Sequence, residues 1–100
     1  MNKREQEQHL EEIFCTIKEI QLKKGNDYSN EDRLSNFKLA GNICGITPEL
    51  NCLSLIATKV ARLGVLLSSE KSPDNESVID SVDDLISYSI LLNMILKEKF

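Results

Sequence analysis

At 100 residues, 41% apolar and 28% charged, the chain is sized for one domain, spanning 1–100, with a single modest core that association with further copies would help stabilise. Its net charge of −4 excludes a diffuse basic field for duplex DNA or RNA, but not a local pocket for one nucleotide. Three cysteines without a CxxC spacing (Cys15, Cys44, Cys52) and the single His9 exclude a Cys/His metal centre.

The N-terminal MNKREQEQHLEE has no apolar stretch of a signal peptide, and the longest nearly continuous apolar run, ILLNMIL, is too short to span a bilayer. The expectation is a soluble cytoplasmic protein with reduced thiols and no membrane partner.

From Lys3 to Lys24, Leu10, Ile13, Phe14, Ile17 and Ile20 recur at helical spacing, with Gly25 placed to end the helix. Ser29 or Asn30 can cap a second helix, with Glu31 and Asp32 in its first turn, an apolar stripe of Leu34, Phe37, Ala40 and Cys44, and an end near Gly45. Thr47-Pro48-Glu49 is a third start signal, cap then proline then acid, for a helix to about Ser69. Its inward stripe is predicted as Leu50, Leu53, Ile56, Ala57, Val60, Leu63 and Leu67; Leu55, Val65 and Leu66 lie elsewhere, so more than one face needs cover. After the polar turn SSEKSPDNES a fourth helix runs from about Asn75 to Lys99. No β-type alternation is present, and the predicted fold is all-α: four helices in one domain.

On the fourth helix, Val78, Val82, Leu85, Ile86, Ser89 and Asn93 share one face, while Glu76, Asp80, Asp83 and Ser87 line the opposite one with Asp84 at its margin. Like charges three and four apart repel, so the acids call either for a hard cation such as Mg²⁺ or for a solvated face near the helix start. Beyond Tyr88 the helix is apolar all round except at Asn93, which predicts either a central helix or a homo-oligomer formed through this C-terminal helix. Cys44 and Cys52 are expected to be buried as small hydrophobes, and His9 to lie on the surface.

The spaced residues Lys24, Asp27 and Tyr28, then Asn36-Phe37, then Lys59 with Arg62-Leu63, resemble a small phage and prophage family, the nucleotide-modification-associated domain of the first type. The run Glu76, Ser77, Asp80, Asp84, Leu85, Tyr88 fits the same resemblance, which covers residues 20 to 92. It implies a helical protein of phage nucleotide metabolism and base modification. The acidic helix is also similar to one half of the MazG-type all-α nucleoside triphosphate pyrophosphatases, which hold Mg²⁺ between an E-E-x-x-E and an E-x-x-D helix. Here Asp80 and Asp83 give D-x-x-D and no helix carries E-E-x-x-E.

A nucleotide needs cations for its phosphates, a flat apolar surface for its base and polar groups for the base edge or sugar. Lys24, Lys59 and Arg62 supply the first, Tyr28 or Phe37 the second, and Asn36 and Asp27 the third; Glu76, Asp80, Asp83 and Asp84 would hold the metal. Duller readings stand beside these: Phe37 as core, Lys24 as a partner of a helix end, Lys59 and Arg62 as solubilising charges. Three functions follow: Mg²⁺-dependent nucleotide processing, non-catalytic capture of a nucleotide or cyclic nucleotide signal of antiphage defence by an oligomeric sponge, or a helical adaptor without ligand.

Overall fold

The computed structural model describes residues 1–27, 32–69 and 75–100, with only the backbone of 24–27 and 75–77. These form four helices and, among the described residues, no strand: α1 (Lys3–Asp27), α2 (Ser35–Cys44), α3 (Pro48–Ser68) and α4 (Asn75–Lys99). The all-α expectation holds.

Several boundaries follow their sequence signals. Asn2 closes the start of α1, its Oδ1 accepting from the Glu5 amide at 2.9 Å. At the end of α2, Gly45 adopts φ 72°, where the Ile46 amide reaches back to the Gly41 carbonyl at 2.9 Å and the Gly45 amide to that of Asn42 at 3.3 Å. This is the paired closure that a left-handed glycine permits. Thr47 caps α3, its Oγ1 accepting from the Leu50 amide at 3.3 Å, with Pro48 in the first turn. A side chain at Gly41 would meet the Ile46 carbonyl at 2.8 Å, so glycine lets α2 approach the connection to α3.

Two boundaries differ. α1 continues through Gly25 to Asp27, because one glycine lowers helix propensity without ending a helix. α2 starts at Ser35, after an Asp32 turn in which Oδ1 accepts from the Leu34 amide at 3.0 Å and the Asp32 carbonyl from the Ser35 amide at 3.1 Å. Glu31, Ser29 and Asn30 lie outside the described residues.

The core is small: Leu34, Phe37, Cys52 and Ile95, with Leu55, Ile56, Tyr88, Leu91 and Leu92 packed against it. α3 and α4 form the most extensive pairing and run antiparallel, as Glu49 pairs with Lys99 and Lys59 with Asp84. α2 packs on α3, where the Asn51 side-chain amide donates to the Phe37 carbonyl at 3.3 Å; α1 packs on α4, where that of Gln21 donates to the Ser87 carbonyl at 3.2 Å and Oγ at 3.3 Å. Of the apolar stripe on α1, only Ile17 is buried; Leu10, Ile13 and Phe14 are exposed.

The packed face of α3 is rotated from the predicted one. On α3 the packed row is Cys52, Ile56, Lys59, Leu63 and Leu66, whereas Leu50, Leu53, Ala57, Val60 and Leu67 are exposed. On α4 the packed row is Ser81, Asp84, Tyr88, Leu91 and Ile95. Leu85, Ile86, Ser89 and Asn93, from the face opposite the acidic one, line an open groove of about 500 Å³ with Ile90, Met94 and Lys97. Periodicity identifies that a face is apolar; it does not say which of two apolar faces is chosen. The end of α4 is covered within the chain on one side only: Ile95 is buried and Ile90, Leu91 and Leu92 are half-buried, whereas Met94 and Leu96 are exposed.

By length and composition α3 is apolar enough to cross a bilayer, with a mean hydropathy of 1.6 over its best 18-residue window, so ILLNMIL is not the segment that comes nearest to that limit. Cys44 is exposed, against its expected burial, while Cys52 is fully enclosed and its thiol donates to the Tyr88 carbonyl at 3.3 Å. His9 is exposed as expected.

Candidate functional site

The seam between α3 and α4 brings together one cation and one acid that the sequence singles out for different roles. Lys59 Nζ lies 2.9 Å from Asp84 Oδ2, both side chains half-buried. The contact sits within the packed rows of both helices, so it forms part of the helix pairing as well as a charged site. Arg62 projects from the next part of α3; it is exposed and has no ion-pair partner among the described residues. Its planar guanidinium is of the geometry that suits a two-pronged contact with phosphate.

The acids beside this pair differ in environment. Asp80 is exposed, whereas Asp83 is half-buried. Burial first, and then the charges of Asp80 and Asp84, raise the Asp83 carboxyl above its ordinary pKa. Of the acids in the stripe, Asp84 is thus paired with Lys59, while Asp83 is held above its ordinary range. No three Asp, Glu, His or Cys side chains converge as a ready metal centre among the described residues. The side chain of Glu76 lies outside them.

The other predicted contributors are dispersed. Phe37 is 7% exposed and packs in the core with Leu34, Cys52 and Ile95, so its ring is a structural residue and presents no base platform. Asn36, its neighbour on α2, is exposed. Lys24 and Asp27 lie on the last turn of α1 with side chains outside the description, and Tyr28 lies outside the described residues altogether. The buried Cys52 thiol has its pKa raised by burial, the opposite of what a nucleophile needs.

A second charged cluster escaped the sequence reading. Lys38 reaches Asp32 at 2.6 Å and Glu98 at 2.5 Å, and Lys99 reaches Glu49 at 2.5 Å. These pairs border a cleft of about 330 Å³ between the starts of α2 and α3 and the end of α4. Hydrogen bonds from the lysines are the leading cause that lowers the Asp32 and Glu49 pKa values, and the bond with Asp32 leads in raising that of Lys38. With both lysines paired to carboxylates, this cluster ties α4 to α2 and α3. The pairs join residues up to 60 positions apart, so no local pattern announces them.

Compared with protein-family models, curated proteins and solved structures, the chain matches none.

Proposed function

We propose that the chain is a small helical nucleotide-binding protein, of the phage and prophage kind its sequence resembles, whose phosphate-binding end lies where Lys59 meets Asp84. The observation that supports this reading most is that pair: a lysine proposed for phosphate and an aspartate proposed for metal meet at 2.9 Å, although 25 positions separate them in the sequence. Arg62 adds an exposed cation with no ion pair among the described residues, and Asp83 a carboxylate whose pKa is raised by burial and by its acidic neighbours.

In this reading Lys59 acts as a point charge on one phosphate and Arg62 clamps another. Asp80, Asp83 and Asp84 offer the carboxylate oxygens that Mg²⁺ prefers without converging on one point, so the ion would be held by one or two of them together with phosphate oxygens and water, neutralising phosphate charge when bound. The raised Asp83 pKa fits such a donor set, because a cation would relieve the repulsion that causes part of the shift.

Capture without chemistry is the second reading, and a specific observation favours it. Asp84 already has its charge met by Lys59, and the chain lacks an E-E-x-x-E helix to complete a MazG-like metal site. A nucleotide phosphate would then compete with Asp84 for Lys59, and metal would be dispensable.

The test is to incubate the protein with ribo- and deoxynucleotides and cyclic dinucleotides, with and without Mg²⁺, and chromatograph bound and free fractions. Mg²⁺-dependent product supports processing; ligand released intact by heat supports capture. Neither retention nor turnover would leave a helical adaptor and defeat the proposal.

A further inference from the structure

The exposed side of α3 repeats every seven residues. Leu50, Leu53, Ala57, Val60, Gly64 and Leu67 follow the alternating three-and-four spacing of a helix-pairing seam, and all are exposed. Leu50, Leu53, Val60 and Leu67 are 51%, 49%, 52% and 67% exposed. α3 thus has two seams, one packed on α4 and one bare.

We propose that the bare seam receives the α3 helix of a second copy of this chain, the two running antiparallel about a two-fold axis between Ala57 and Val60. Three features select this occupant. The first is size matching. In that register Leu50 faces Leu67 of the other copy, Leu53 faces Gly64, and Ala57 faces Val60, so the inner layers each set a large side chain against a small one. Alternation of large and small residues is what lets facing helices interdigitate without voids. Gly64 leaves the room this needs, since nothing lies within 4 Å of a side chain built there.

The second feature is polarity. The six seam positions carry no charge, so a two-fold axis through them brings no like charges together. One flanking row is Ser54, Ala61 and Ser68, whose serine hydroxyls already donate to the Asn51 and Gly64 carbonyls of their own helix, so covering them strands no donor; the other is Glu49, paired with Lys99, and Ile56 and Leu63, which pack within the chain. Antiparallel pairing also sets the helix dipoles in opposition.

The third is what the other side of α3 excludes. Cys52 and Leu63 are buried within the chain, and Lys59 pairs with Asp84. A bilayer span would break that pairing, because a spanning helix must leave α4 or carry its acids into lipid. A second copy requires no change in the fold. A helix of 21 residues, about 30 Å long, provides a seam of the length that paired helices use.

Sedimentation equilibrium tests the proposal. Wild type is expected to be dimeric, and Val60→Glu to dissociate roughly a hundredfold or more readily, since a carboxylate would be buried unpaired at the axis. Position 60 is half-exposed in the single chain, so the circular dichroism of the variant should remain helical. Register is tested by a size swap: Gly64→Leu should weaken the dimer by setting Leu against Leu53 of the other copy, and Leu53→Ala added to it should restore it. A monomeric wild type would overturn the proposal. So would a dimer that survives Val60→Glu but is lost in Ile86→Glu, which would move the interface to the α4 groove. Failure of the swap to restore association would overturn the antiparallel register.

Discussion

The two seams of α3 have the same spacing and opposite character. The inner one, Cys52, Ile56, Lys59, Leu63 and Leu66, accepts a lysine at its middle because α4 supplies Asp84 opposite. The outer one is apolar or small throughout and is exposed. Hydrophobicity therefore does not decide which side of α3 turns inward. The complementary charges and the fit of Cys52 against α4 do so, leaving the more uniformly apolar side exposed.

Truncations on the two sides should separate them most clearly. Leu63→Ala empties an inner position and is expected to cost about 2–5 kcal/mol of unfolding free energy, and Phe37→Ala about 3–5 kcal/mol. Leu67→Ala on the outer side should change the stability of the dissociated chain by about 0.5 kcal/mol or less, because its side chain is largely in water. Urea unfolding of dilute protein measures all three. Equal losses at positions 63 and 67 would remove the distinction between the seams.

The charged pair at the middle of the inner seam comes next. Lys59→Met and Asp84→Asn should each cost about 1–2 kcal/mol, between the values for exposed and fully buried pairs. A double-mutant cycle should return a favourable coupling, and additivity would show that the pair does not hold the helices. Smaller still, Gly45→Ala should cost about 1 kcal/mol, by placing a side chain at φ 72°. Gly64→Ala should instead stabilise the dissociated chain by up to about 1 kcal/mol.

The pH dependence divides the two charged clusters. The folded pKa values of Asp32 and Glu49 are lowered, so their contribution is present above about pH 4 and is lost as pH falls through the lower folded values. That of Lys38 is raised, so its contribution is complete below about pH 10 and is lost as pH rises through the folded value. Asp83 opposes them: its folded pKa is raised, so its contribution is complete below about pH 4 and is lost as pH rises through the higher folded value, which makes the ionised form at neutrality unfavourable to the fold. Asp83→Asn should therefore raise the neutral-pH melting temperature in the absence of metal. An unchanged or lower melting temperature would show that the acids are not in conflict.

Much of the fold was legible because local signals carry it. Thr47-Pro48, Gly45 and the polar turn before Asn75 marked ends that the structure keeps within a residue or so. Gly25 misled because a glycine is compatible with a helix that continues, and Asp32 because a turn-forming acid looks like a first-turn acid. Face assignment was harder: α3 and α4 are apolar on more than one side, and the deciding contacts, Lys59 with Asp84 and Lys99 with Glu49, join residues distant in sequence. For the same reason the candidate site was only partly legible. Its residue types were readable, but the burial of Phe37 and the pairing of Lys59 depend on tertiary packing.

The most direct test of the functional account is calorimetric titration of a nucleoside triphosphate into wild type, Lys59→Met and Asp84→Asn, with and without Mg²⁺, after circular dichroism has verified that each is folded. The account predicts saturable binding to wild type that Lys59→Met weakens at least tenfold, with Asp84→Asn tightening metal-free binding because it releases Lys59. Binding that is absent from wild type, or equally strong in Lys59→Met, would contradict it.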